Sequence, residues 1–473
     1  MQFQWGYLRR VIGLTQLTVM IFTGFASGTQ NPEIFLSPQE SYLRGQSVLE
    51  HFGLSEGSLV FPPIPHKLQS EAGLRRWLSL MDPKGYFAPY FTLEDGWLRV
   101  FRDPGMKQVL DFEVQLLGSR SGAPIEPLET EVPAFHRHIL NAQLNAADQP
   151  LKGLKVAIDP GHMGGKLWDD RTGKFVRDRR GRILSEGLIA LQTALLLEQK
   201  LRSWGAEVVL TRRTMDPVTS EVFETMHLLP YAVTEVRDSI QEPWFQRLLE
   251  SGPAGSAQLM TAVARNSQWK KYFEESDFNR SHYFILREDL RARSEVIQNS
   301  DADLALVIHY DTSDPPGNPT GVNPERRNGT KVYVNGSYSQ DEFSSREQRN
   351  LFTHALTDGV SSEASLVLGR SVVNSLSRNL DVPLEKFSGG GNSTFVEPGI
   401  FSRNLGVSRR VTHRALTYVE CLFYNDPVEF ERFMELAGTV EIGGKQVAYS
   451  TRVKQVSDAL AEGVQKFVSE YGK

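Results

Sequence analysis

Leu154-Lys155-Val156-Ala157-Ile158-Asp159-Pro160-Gly161-His162 is the stretch that decides the fold. A short apolar run halts at Asp159-Pro160-Gly161, and His162 is the first side chain past the turn. Runs of this kind are strands buried on both faces. Open α/β folds use them to deliver functional side chains to the C-terminal edge of the sheet.

The chain downstream repeats the pattern. Asp169 to Arg182 is charged and glycine-bearing, and reads as an exposed hairpin or loop. Glu186 to Trp204 is an amphipathic helix, with Leu188, Leu191, Leu195 and Leu201 on one side and Gly205 as its stop. Ala206 to Thr211 is the next strand, which completes a βαβ unit with an expected right-handed crossover. Residues 214–286 break the rhythm and read as an insertion. Leu290 to Asn299 is then a helix, and Asp303 to His309 is a third buried strand that again ends in histidine. Lys331 to Val334 gives a fourth strand, Ala364 to Leu380 a helix, and Ala415 to Tyr424 a fifth strand with Glu420 inside its apolar run. A hairpin turned at Gly443-Gly444 and a closing helix from Val453 to Tyr471 end the chain.

Upstream, Arg9 and Arg10 precede an apolar run from Val11 to Phe25 and then the small residues Ala26-Ser27-Gly28. That layout predicts a secretory signal peptide over residues 1–28 and a periplasmic or secreted protein, with no stable membrane span after its removal. Residues 29–118 read as a small α+β region. It holds helices at Ser41 to Phe52 and Glu71 to Met81, and a hairpin of Trp97 to Phe101 with Val109 to Val114. Residues 119–150 read as a polar linker carrying His136 and His138, two histidines expected to be exposed, and 151–473 as the main α/β domain. A formal net charge of −5 speaks against a nucleic-acid partner, and the lone Cys421 excludes an internal disulfide.

His162 and His309 each close a strand expected to be parallel, so both imidazoles emerge on one edge of the sheet. Glu186 opens the helix that follows the first strand and can reach that edge. Two imidazoles and one carboxylate form the ligand set of a catalytic zinc that keeps a position open for water. Ser185-Glu186 equally fits a favourable charge at a helix N-terminus. Glu420 is costly to bury without a partner, and reads either as a general base or as one half of a strand-end ion pair.

Taken together, Asp159-Pro160-Gly161-His162, the helix opened by Glu186, Thr211-Arg212, Ala302-Asp303 through Ile308-His309, and Val419-Glu420 with Phe423 and Asn425 resemble the zinc-dependent N-acetylmuramoyl-L-alanine amidases of cell-wall metabolism. The resemblance covers roughly residues 151–473 in order. Tyr310-Asp311 stands where that family usually has small or Asn residues. The resemblance implies an α/β fold with a single mixed sheet and helices on both faces. It also implies one Zn2+ held by His162, Glu186 and His309, with Glu420 as the catalytic carboxylate. Glu397, in Phe395-Val396-Glu397-Pro398-Gly399, is the alternative base. The implied substrate is peptidoglycan, cut between N-acetylmuramic acid and the L-alanine of the stem peptide, with room for a protein regulator. A zinc peptidase acting within the stem and an inactive wall-binding or regulatory protein are the competing readings.

Overall fold

The computed structural model describes residues 71–102, 104–105, 107–116, 133–226, 276–313, 320–340, 342–344, 346–387 and 392–472. The expected signal segment, the helix expected at Ser41 to Phe52 and most of the insertion at 214–286 lie outside the described residues. Pro63–Val222 with Phe284–Lys473 form one compact unit, and Met1–Pro62 with Phe223–Tyr283 form a second. The described part of the second unit includes a short helix, Asp277–Tyr283.

The first unit begins with helix α1 (Glu71–Met81) and an antiparallel sheet of β1 (Phe91–Glu94), β2 (Trp97–Phe101) and β3 (Leu110–Gln115). Leu74, Trp77 and Met81 of α1 fall on one face at helical spacing and are buried, as the sequence pattern predicts. The stretch expected to be a polar linker contains helix α2 (Ala134–Ala142). Phe135, Ile139 and Ala142 recur at helical spacing there and are buried, a short amphipathic stripe hidden among polar neighbours. His136 and His138 are therefore partnered helix residues. His136 Nδ1 lies 2.8 Å from the Tyr471 hydroxyl, and His138 Nδ1 lies 2.6 Å from Asp303 Oδ1.

The central sheet follows. It uses β4 (Lys155–Pro160), then helix α3 (Lys166–Thr172), a two-stranded hairpin of β5 (Phe175–Arg177) and β6 (Ile183–Ser185), helix α4 (Glu186–Ser203) and β7 (Glu207–Leu210). Helix α5 (Leu290–Asn299), β8 (Leu304–Asp311) and β9 (Lys331–Val334) come next. Helices α6 (Arg346–Thr357) and α7 (Gly359–Leu380) precede β10 (Ser393–Glu397), β11 (Ile400–Arg403) and β12 (Ala415–Phe423). Helix α8 (Pro427–Met434), the hairpin of β13 (Leu436–Ile442) and β14 (Lys445–Ser450), and helix α9 (Thr451–Glu470) complete the chain.

Seven strands form one mixed sheet in the order β10-β11-β9-β12-β8-β4-β7. The β12–β8, β8–β4 and β4–β7 pairs are parallel, whereas β9 runs antiparallel to β12 and β10 antiparallel to β11. All eight residues of β8 are buried, which explains its unbroken apolar run. Alternation then sorts its side chains. Leu304, Leu306 and Ile308 join the main core on the side of α4, α7 and α9, while Ala305 and Val307 pack with Ala157, Ile297 and Leu416 on the side of α5. Helices therefore cover both faces, as expected. By the same alternation His309 falls on the α5 side, and the β12 register sets Glu420 opposite His309 and Lys331.

Helix α3, helix α6 and the β10–β11 hairpin have no counterpart in the sequence pattern. Helix α6 buries Leu351, Phe352 and Leu356, but the polar residues Gln348, Arg349, Asn350, Thr353 and His354 are buried around them and mask that short apolar face. Pairing adds to its hold, with Arg349 Nε donating to Asp111 Oδ2 of β3 at 3.0 Å. The β10–β11 hairpin turns through Pro398-Gly399, a segment whose Glu397 was weighed only as a base.

Candidate metal centre

β4 carries the chain to the C-terminal edge of the sheet, where Gly161 N donates to Ile308 O at 2.8 Å. A Cβ on Gly161 would lie 2.3 Å from His309 Nε2, so only glycine lets the loop pass the second imidazole. His162 then adopts φ 53°, a left-handed conformation rare for a side chain of its size and frequent at functional sites. On the other side of the loop, a Cβ on Gly187 would lie 2.0 Å from Met163 O, so the first turn of α4 abuts it directly.

This packing delivers Glu186 to the two histidines. Ser185 caps α4, its Oγ accepting from Leu188 N and donating to Asp169 Oδ1 at 2.7 Å. The Glu186 side chain, 3% exposed, turns inward. Its Oε1 lies 3.0 Å from His309 Nδ1 and 3.3 Å from His162 Nε2. The two rings meet edge to face with centroids 4.6 Å apart. One donor atom from each of His162, Glu186 and His309 lies within 4.8 Å of the others, so three residues far apart in sequence converge on one point. Tyr418 of β12 stacks on His309 with centroids 4.4 Å apart and fixes the ring plane.

The electrostatics favour a cation. Burial pushes the His162 imidazole down to about 3, overriding the attraction of Glu186, so the ring is neutral at pH 7 with a lone pair to give. Burial also works against the Glu186 carboxylate. The His162 ring, the Lys174 ammonium 3.9 Å away and the imidazole contacts outweigh it and hold its pKa well below the usual range. Glu420 goes the other way. Burial, then the charges of Asp311 and Glu186, raise it well above an ordinary carboxyl, with Lys331 opposing. Its Oε2 is buried and has no hydrogen-bond partner. A neutral imidazole, an ionised carboxylate and an orphaned carboxylate oxygen one strand away fit a divalent ion of the zinc type and a water beside it. Glu397, by contrast, lies on the edge strand, where Arg370 Nε donates to its Oε1 at 2.7 Å.

Two arginines hold this loop from beneath. Arg212 donates to Pro160 O, Gly161 O and Gly187 O at 3.0, 2.9 and 2.9 Å. Arg293 of α5 donates to Pro160 O at 2.7 Å, to His162 O at 3.0 Å, to Asp159 Oδ1 at 3.0 Å and to Asp289 Oδ2 at 2.6 Å. In the sequence Arg212 stands out only within the Thr211-Arg212 motif, and Arg293 belongs to no motif. The one local signal was Asp289 four residues before Arg293, at the spacing of a helical ion pair.

An α/β protein with a buried His–Glu–His donor set at the C-terminal edge of a mixed sheet is thus the class defined by fold and site. No family model and no curated protein matches the sequence. Among solved structures, the chain is similar to the CwlD amidase of Clostridioides difficile in complex with the GerS lipoprotein, at 14% identity over 67% of this chain and 98% of that one, with a TM-score of 0.36. It is also similar to the N-acetylmuramyl-L-alanine amidase Ami1 of Mycobacterium abscessus, at 15% identity over 67% of this chain and 100% of that one, with a TM-score of 0.33. The N-acetylmuramoyl-L-alanine amidase AmiC2 of Nostoc punctiforme is similar at 15% identity over 67% of this chain and 98% of that one, with a TM-score of 0.32.

Proposed function

We propose that the chain is a zinc-dependent N-acetylmuramoyl-L-alanine amidase that hydrolyses the bond between the lactyl group of N-acetylmuramic acid and the L-alanine of the stem peptide. The observation that carries it is the convergence of His162, Glu186 and His309, with the orphaned Glu420 oxygen on the neighbouring strand. The ordered motif resemblance over residues 151–473 supports the choice of substrate.

His162, Glu186 and His309 would hold the metal, giving it a neutral donor pair and a single negative charge. A zinc ion so held supplies Lewis-acid polarisation of a carbonyl and lowers the pKa of water from about 15.7 to about 7. Glu420 takes the proton from the attacking water. Its raised proton affinity suits both receiving that proton and passing it to the departing alanine nitrogen. Lys331 Nζ, 2.5 Å from Asp311 Oδ2, keeps a positive charge beside Glu420 and limits how far burial can favour the protonated form. Tyr418 holds the His309 ring against rotation.

Export to the cell envelope, expected from residues 1–28, and a protein regulator belong to the same proposal. Among the described residues, no helix is long and apolar enough to cross a membrane. The test is the metal content and the muropeptide products of the purified chain and of Glu420→Ala. One zinc per chain, stem peptides released with a free L-alanine amine, and lost turnover with zinc retained in the variant are the expected results. Shortened stems still attached to sugar would make the chain a peptidase, and absence of both zinc and product would overturn the enzyme reading.

A further inference from the structure

The chain carries a formal net charge of −5, yet residues 166–182 hold seven basic and three acidic side chains. This segment contains α3 and the strand β5, and the β5–β6 hairpin leads directly into Glu186. Its near end touches the metal centre. Lys174 Nζ lies 3.9 Å from Glu186 Oε2, and Glu186 N donates to Lys174 O at 3.0 Å.

The hairpin is a built element. Asp178 Oδ1 accepts from the amides of Arg180 and Arg182 at 2.9 and 2.8 Å, which closes the turn. Arg182 is spent on structure, with Nε on Asp178 Oδ2 at 2.7 Å and Nη1 on Glu431 Oε2 at 3.0 Å. Arg177 N donates to Thr320 O at 2.8 Å and ties the strand to the segment 320–321. What is left over is charge. Arg177, Arg179 and Arg180 are exposed and form no ion pair among the described residues, with Arg180 near enough to Glu431 to help lower its pKa and the Arg177 guanidinium lying over the Phe175 ring.

Three solvated cations on a rigid hairpin beside a metal centre create a positive field that draws anionic groups of a ligand toward that side. We infer that Arg177, Arg179 and Arg180 form a subsite for the carboxylates of the substrate's peptide, so that the chain selects stem peptides with free acid groups over amidated ones. The inference rests on the proposed amidase reading and names the substrate class for that same site. At about 3.3 Å per residue, Arg177 at the end of β5 stands about 10 Å along the chain from Lys174, the residue just before that strand. An extended peptide starting at the metal draws level with it at about its third residue. Guanidinium groups suit this role because their planar donors pair with carboxylates in two-point fashion.

The experiment compares the zinc-loaded full chain with its R177Q/R179Q/R180Q variant on N-acetylmuramoyl-tripeptide whose peptide carboxylates are free, and on the same compound as carboxamides. The wild type should favour the acid about tenfold in kcat/KM, through KM, and the preference should shrink as salt is raised. In the triple variant the preference should fall to about one. Equal losses on both compounds, or an unchanged preference, would overturn the inference. A second arm measures binding of the acid and carboxamide probes by fluorescence anisotropy, in the Glu420→Gln background with and without the three substitutions. If the wild type cleaves neither compound, the amidase reading fails. The binding arm still decides the subsite, because equal affinity of both forms for the acid probe overturns it, and a loss of acid preference on removing the arginines sustains it.

Discussion

Two buried polar clusters lie on either side of the loop that carries His162, and they differ in whether their bonds close. Beneath the loop, Asp159, Asp289, Arg212 and Arg293 are at most 5% exposed, and their hydrogen bonds run to one another, to backbone carbonyls of the loop and its neighbours, to the Thr211 hydroxyl and to the Val218 amide. Above it, His162, Glu186, His309 and Glu420 crowd three potential metal donors and one carboxylate together and leave Glu420 Oε2 unpartnered. Both clusters bury charge. Only the second leaves something for a ligand to satisfy. The closed network is suited to a scaffold, and the open bond beside three potential metal donors is suited to a site.

The sharpest way to break the comparison is Glu420→Gln. Losing a general base should lower kcat about 10²- to 10⁴-fold with zinc still bound, measured by turnover and metal analysis together. If the variant also loses its metal, Glu420 is a ligand and the open bond has been misassigned.

Arg293→Met comes next. Removing one partner from a closed buried network strands Asp159 and Asp289, and should cost about 3–5 kcal/mol in a urea titration. Because Arg293 also holds His162 O, zinc affinity should fall about 10- to 100-fold in a chelator competition. Wild-type stability in this variant would show that the lower cluster is not scaffold.

A smaller effect is expected from Gly161→Ala. The added methyl meets the His309 ring and forces it or the loop to shift, at a cost of about 1–3 kcal/mol, with a zinc-affinity loss larger than the stability loss would suggest. Equal zinc affinity in the alanine variant would show that the loop has slack that the close contact does not reveal.

The smallest effect concerns pH. Burial raises Asp169 to about 6, against the opposing hydrogen bond from Ser185. The folded chain therefore holds that proton more tightly than the unfolded one, so the associated stability is complete below about pH 4 and is lost as pH rises through about 6. Asp169→Asn should flatten that part of the urea midpoint plotted against pH, and an unchanged slope would place the titration elsewhere.

Legibility followed burial. β4, β8 and β12 stand out in the sequence because strands covered on both faces must be apolar throughout. Helix α6 does not stand out because buried polar residues surround its apolar Leu351, Phe352 and Leu356, and Arg349 finds Asp111 across 238 residues. At the site, strand ends and a helix start were enough to nominate His162, Glu186 and His309. The arginine buttress was not legible, since an arginine's partners are carbonyls that any residue could supply.

The sequence by itself determined the strands buried on both faces and the helices between them, and that two histidines and a carboxylate would arrive at the same sheet edge, because hydrophobic periodicity and turn residues act over a few positions. Tertiary structure alone decided that Glu186 turns inward to the imidazoles and not outward as a helix cap. It also decided that Glu397 is held by Arg370 on the edge strand, and that Glu420 stands opposite His309 with one oxygen unsatisfied. The reason is range. A side chain's charge and bonds depend on which groups packing brings within about 4 Å, and those come from anywhere in the chain.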